Sequence, residues 1–122
     1  MSPERHPRHR LDEVIHSPLR LSIVSALSAV EKAEFRAVRD AIEISDSLLS
    51  KQVALLEQAG YIDVHKDRVN RRARTWLTLT HAGREALAGH LSALADITRE
   101  QRLAAVDPRG SPTTSPAPPA RA

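Results

Sequence analysis

Five cations fall within nine residues, Lys66, Arg68, Arg71, Arg72 and Arg74, in a stretch whose only apolar side chains are Val69 and Ala73. Cations this dense repel one another unless an anion neutralises them, and the planar guanidinium fork matches the paired oxygens of a phosphate. A second set, Ser47, Leu48, Ser50, Lys51 and Gln52, puts two hydroxyls, an ammonium and a carboxamide within six positions. Glutamine can pair bidentately with the adenine edge, lysine reaches guanine acceptors or phosphate, and serine suits phosphate or either base class. Together the two sets point to a nucleic-acid polyanion, with the first gripping phosphate and the second reading bases. Structural roles compete for some members. Arg74 can pair with Asp63 or Glu57, Lys66 can be strand decoration, and Arg71 and Arg72 have no acidic neighbour in sequence.

Other chemistries find no anchor. Without cysteine there is no disulfide framework, thiolate zinc site or thiol redox centre. The six histidines are scattered, and His90, Asp96 and Glu100 share a helix with only partial overlap of faces, so no metal is expected. No nucleophile-base constellation, glycine-rich phosphate loop or paired-carboxylate spacing stands out. The chain is therefore not expected to be an enzyme or to carry a cofactor.

The elements that must position the two sets can be read from periodicity. The length of 122 residues suits one domain, and an apolar content of 41% with three aromatic residues (Phe35, Tyr61 and Trp76) predicts an aliphatic core. Leu11, Val14 and Ile15 make a short apolar turn. Ser17 followed by Pro18 is an N-cap with proline at the first helical position, and Leu19, Ile23, Ala26, Leu27 and Val30 continue a first helix. A shorter helix is expected over 33–42, with Phe35, Val38 and Ile42 inward. A third, over 45–59, starts at the capping candidates Ser45, Asp46 and Ser47, carries the stripe Leu49, Val53 and Leu56, and stops at Gly60. The last two form a helix-turn-helix arrangement. Ile62 and Val64, then Leu77 and Leu79, alternate with polar partners, giving two hairpin strands joined by a polar connector over about 67–73. Thr80 caps a final helix over about 81–103, where Leu87, Leu91, Leu94 and Thr98 have the spacing of a helix-helix seam. A helix of this length outruns the compact part of its own chain, so its stripe asks for a second copy. Leu11, Val14 and Ile15 are expected in the same homodimer interface.

In order and spacing, HSPLRLSIVSAL (16–27), LLSKQVALLEQAGYIDVHK (48–66) and RRARTWLTLTHAGREAL (71–87) resemble the winged helix-turn-helix transcriptional regulators of the MarR-like group. The likeness spans about 90 residues and excludes both tails. It implies a mainly α fold with a small β-hairpin, a long C-terminal dimerisation helix, and a homodimer that puts one recognition helix per subunit into a major groove of double-stranded DNA. The hairpin then lies as a wing beside the backbone. A pseudo-palindromic operator, repression by occupancy and an apolar small-molecule effector, in a pocket lined by the first and last helices, follow from the likeness alone. Arg20 matches a recurrent arginine of the group that braces structure. The rival reading is a winged-helix protein-protein interaction module without specific DNA binding, which would not need clustered wing arginines.

The charge distribution favours local engagement of a polyanion. Residues 61–74 hold five basic and two acidic side chains, whereas 11–60 hold five basic and eight acidic, within a net charge of +3. Residues 1–10 are read as a flexible basic arm, 11–105 as the winged-helix domain, and 106–122, rich in proline, alanine, serine and threonine, as a disordered tail. No apolar run approaches the roughly 20 residues that cross a bilayer, and residues 1–10 lack the apolar segment of a signal peptide, so the expectation is a soluble cytoplasmic protein with no membrane contact.

Overall fold

The computed structural model describes residues 5–100 and Leu103. Helices α1 (Pro18–Ser28), α2 (Phe35–Ile42) and α3 (Asp46–Gln58) are followed by strands β2 (Ile62–Val69) and β3 (Arg72–Leu79) and by helix α4 (His81–Arg99). A two-residue strand, β1 (Ala33–Glu34), precedes α2 and completes an antiparallel sheet in the order β1-β3-β2. The expected tail over 106–122 lies outside the described residues.

The caps follow from residue type. Ser17 Oγ accepts from the Arg20 amide and Ser45 Oγ from the Leu48 amide at 3.1 Å, satisfying amides that a helix start leaves without partners. Ser45 alone caps α3. Asp46, expected to share that role, sits in the first turn and pairs with Arg39 of α2 at 2.8 Å. Gly60, at φ +82°, turns the chain out of α3 in the left-handed conformation that glycine adopts without a Cβ penalty.

The core is aliphatic, as composition requires: Ile15, Ile23, Val24, Leu27, Leu49, Leu56, Ile62 and Leu77 are all but fully enclosed. Strand register puts Ile62 opposite Leu79 and Val64 opposite Leu77, so the period-two apolar positions share one face and pack onto the helices. Start of α4 and end of α3 are clipped together. The Thr80 hydroxyl donates to the Gly60 carbonyl at 2.7 Å and accepts from the Gly83 amide at 3.0 Å, while the Thr80 amide donates to the Tyr61 carbonyl. At this crossing a Cβ on Gly83 would stand 2.4 Å from the Tyr61 carbonyl oxygen.

Four expectations need correction. The second helix begins at Phe35 because Ala33 and Glu34 pair with Leu77 and Trp76 instead; a strand of two residues shows no period. The connector is not a loop over 67–73. Ladder pairing continues to Val69 opposite Arg72, leaving Asn70 and Arg71 as a two-residue turn at φ 51° and 66°. Positive φ at both central positions marks the mirror-image turn whose twist matches a hairpin. The last helix ends at Arg99, where Glu100 turns extended, and Leu103 is exposed. Finally, Pro7–Arg10 are not loose: they form a 3-10 turn with Pro7 buried, and Arg10 pairs with Asp96 of α4.

A candidate nucleic-acid interface

Helix α3 buries Leu49, Gln52, Val53 and Leu56 and turns Ser47, Ser50, Lys51, Ala54 and Leu55 outward. Leu48 is half-buried at the edge of that face. The outer face meets the sheet in a shallow cleft of about 310 Å³, whose walls include Ser50 and Ala54 of α3 and Lys66 and Thr75 of the wing. Ser50 and Lys66 thus share one cleft, with Glu57 in its wall, and Lys51 is exposed next to Ser50 in α3.

Gln52 does not belong to that face. It is 7% exposed, and its Oε1 accepts from Arg20 Nη1 at 2.9 Å. The expectation that it reads adenine fails on geometry. Position 52 follows Leu49 by three and precedes Leu56 by four, so it falls in the core stripe, and burial is tolerated because Arg20 supplies the donor its carbonyl needs. Arg20 Nε also donates to the Val14 carbonyl, which makes this arginine the brace the resemblance implied.

The wing cations divide by partner. Arg74 is committed to Asp67, Nε to Oδ1 at 3.1 Å and Nη2 to Oδ2 at 3.2 Å, rather than to Asp63 or Glu57. Asp67 also accepts from the Trp76 indole N–H at 3.2 Å, and the Arg74 hydrogen bond, ahead of that of Trp76, holds its carboxyl below the usual carboxylate range. Two cations approach the Trp76 ring, with Lys32 Nζ 4.5 Å and the Arg74 guanidinium 5.0 Å from its centroid. Arg72, thought to lack an acidic neighbour, has one in space: Glu34 of β1, at 3.6 Å. Arg68 Nη1 donates to the Arg71 carbonyl at 3.2 Å across the turn, leaving its charge uncompensated. Arg71 at the tip, Lys66 on the strand and Lys51 on α3 are exposed and have no acidic partner among the described residues. Four cations of α3 and the wing thus have no acidic partner among the described residues: Lys51, Lys66, Arg68 and Arg71.

Residues 11–17 form a turn that bonds to His90 of α4, to Tyr61 at the junction of α3 and β2, and to Arg20 of α1. Ile15, expected in a dimer interface, is 0% exposed inside its own core, and Leu87 of α4 is buried likewise. Leu11 and Val14 are half-buried. On α4, Leu91 is 47% exposed, Leu94 and Ile97 are half-buried, and Ala88, Ala95 and Thr98 are exposed. Three residues of this region were not foreseen. The Asp12 carboxylate accepts from the Val14 and Ile15 amides and from the Tyr61 hydroxyl, whose pKa is pushed up to about 12 by that bond, then by burial and the Asp12 charge. His90 is buried and accepts at Nδ1 from the Asp12 amide, 3.0 Å away. No spacing signal joins residues 49 and 78 positions apart. Among the described residues no group of histidines and carboxylates is placed to hold a metal ion, and no helix is long and apolar enough to cross a membrane.

Three helices, a capped and glycine-ended α3 on the surface, and a basic hairpin beside it define a winged helix-turn-helix protein. A family model described as a winged helix DNA-binding domain matches residues 19–98, and the chain belongs to that family. A transcriptional regulator homologue from Pyrococcus horikoshii superposes with a TM-score of 0.68 at 25% identity, over 72% of this chain and 87% of that one. The structure of MarR superposes at 0.63 with 17% identity, over 74% of this chain and 65% of its own. PcaV from Streptomyces coelicolor, solved with its natural ligand, gives 0.60 at 22%, over 75% and 64%. An uncharacterized protein of Methanocaldococcus jannaschii is 22% identical over 87 residues, 71% of this chain and 95% of its own. The chain is a winged helix DNA-binding domain protein with the fold of the MarR structure.

Proposed function

We propose that the protein is a homodimeric repressor that reads a pseudo-palindromic operator. Residues Ser47, Ser50 and Lys51 of α3 enter the major groove with Leu48 at its edge, and the wing grips phosphate through Lys66, Arg68 and Arg71, Arg72 adding charge that Glu34 partly offsets. The observation that carries this reading is that Lys51, Lys66, Arg68 and Arg71 are exposed with no acidic partner among the described residues, and that the exposed face of α3 shares a cleft with Lys66 of the wing. Gln52 acts from inside, by fixing the pose of α3. A second copy covers Leu91, Leu94 and Thr98, together with the outer parts of Leu11 and Val14, and occupancy of the operator excludes polymerase.

PcaV carries a ligand in its structure, as does NadR, solved with 4-hydroxyphenylacetate. We extend the reading to a small apolar effector. An apolar cleft of about 330 Å³ between the 11–17 turn and the end of α3, lined by Val14, Leu55 and Ala59 with Glu13, Arg20 and Gln58, is large enough for one. It replaces the pocket expected between the first and last helices.

Selection of bound duplexes from a random pool tests the core of the reading. A two-fold symmetric consensus with half-sites about one helical turn apart is expected. Recovery of unrelated sequences, or of a single unrepeated element, overturns it.

A further inference from the structure

The 11–17 turn is hydrogen-bonded to three parts of the molecule at once. Toward α4, the Asp12 amide donates to His90 Nδ1 at 3.0 Å. Toward the junction of α3 and β2, the Asp12 carboxylate accepts from the Tyr61 hydroxyl. Toward the middle of α3, Arg20 holds the Val14 carbonyl with Nε and Gln52 Oε1 with Nη1. The same carboxylate accepts from the Val14 and Ile15 amides at 2.9 and 3.0 Å, which stiffens the turn itself. Displacing Asp12 therefore moves what both α3 and the wing lean on.

The Asp12–His90 bond admits one protonation state. A backbone amide only donates, so Nδ1 must present a lone pair, and the ring is neutral with its proton on Nε2. His90 is 1% exposed and its Nε2 has no hydrogen-bond partner among the described residues. That tautomer also excludes a metal, since Nε2 has no free lone pair. Adding a proton would set an Nδ1–H against the Asp12 N–H, two donors face to face. Of the titratable groups around the ring, His16 lies at 5.3 Å between ring centroids, and Asp12 has its carboxylate committed to three donors, the Tyr61 hydroxyl among them. From the 3-10 turn, Arg10 pairs with Asp96, almost two helical turns along α4 from His90. Burial, then the neighbouring His16, holds the imidazole below its ordinary value against a smaller pull from Asp12, consistent with a neutral ring.

We propose that the Asp12–His90 contact is a joint that sets the pose of α3 and the wing relative to α4, and that protonation of His90 opens it and weakens DNA binding. His90 is a positioning residue, because it touches no base or phosphate. The proposal rests on the reading above, in which α4 pairs the subunits and α3 meets the duplex.

The test combines duplex affinity at pH 7.5 and 5.5 with the amide resonance of Asp12, read by nitrogen-proton spectroscopy on the DNA-free protein. Wild type should lose about two- to fourfold more affinity across this interval than His90→Gln, whose carbonyl can accept from Asp12 and does not titrate. His90→Gln should stay within about threefold of wild type at pH 7.5. In wild type the Asp12 resonance should shift with the His90 ring titration, and in His90→Gln it should not. An Asp12 resonance indifferent to the ring removes the joint, even if the variant does not fold. A resonance that follows the ring while affinity in wild type and variant falls equally shows a structural bond that does not position α3. Absence of duplex binding at either pH with an intact Asp12 titration defeats the DNA reading, and the positioning role with it, while the bond itself stands.

Discussion

Arg71 occupies a backbone position that asks for another residue. Two-residue hairpin turns with positive φ at both central positions favour asparagine followed by glycine, and here the second place, at φ 66°, holds arginine. A side chain there costs about 1 kcal/mol, which nothing in the fold offsets, since the guanidinium has no acidic partner among the described residues. On the proposed reading, phosphate engagement is the compensating gain. Arg71→Gly should raise the unfolding free energy by about 0.5–1 kcal/mol, read by denaturant titration, while lowering duplex affinity and reducing the slope of log affinity against log salt by about one. A loss of stability, or an unchanged slope, removes the tip from the interface. Gln52 gives the opposite test. Gln52→Ala strips Arg20 of an acceptor, so it should cost about 1–3 kcal/mol of stability and weaken all sequences alike, with base preference unaltered in a selection experiment. These two residues also mark how far residue-level reading reaches. The charge of 66–74 and the polarity of 47–52 are legible directly, but which members stay free depends on Glu34 and Arg20, which meet them only in space.

At the level of elements, three helices and two strands were legible because each carries its own punctuation: Ser17-Pro18, Ser45, Gly60 and Thr80 mark boundaries that the structure places within a residue or two. What was missed lacks a local signal. Strand β1 exists because Leu77 and Trp76 offer an edge, and the Pro7–Arg10 turn because α4 offers Asp96. The hairpin was read too short since Arg68, Val69, Arg72 and Ala73 have no polar-apolar alternation, although backbone pairing continues through them. The join of α3 to α4 explains why glycine must follow Thr80 by three: the first turn of α4 crosses the Tyr61 carbonyl at a separation that admits no side chain. Gly83→Ala should therefore destabilise by about 1–3 kcal/mol despite alanine's better helix propensity, because backbone atoms rather than a pliable side chain must give way. Gly89, with open space around it, is the control. Gly89→Ala should stabilise by up to about 1 kcal/mol when both variants are compared with wild type by thermal melting, and equal responses at the two sites would refute the crossing argument.

For the whole molecule the question is what α4 is for. Within the subunit it buries Leu87, His90 and Ala93, yet it leaves Leu91 nearly half exposed, with Leu94 beside it, on a helix of 19 residues. The sequence stripe named both kinds of residue together, because a seam of leucines does not say which ones the chain covers for itself; only Leu87 proves internal. A second copy packed along the remaining strip would set two α3 helices at a fixed distance, and the symmetry of the operator would follow from that of the protein. Leu91→Glu with Leu94→Glu should then sediment as a folded monomer at concentrations where wild type is a dimer. Its affinity for a two-half-site duplex should fall at least 100-fold while its affinity for an isolated half-site changes little, since losing the tether removes an effective local concentration and leaves each reading face intact. A wild type that sediments as a monomer at tens of micromolar, or a double variant that keeps full affinity for the symmetric duplex, would show that α4 serves the subunit alone and that each protomer binds independently.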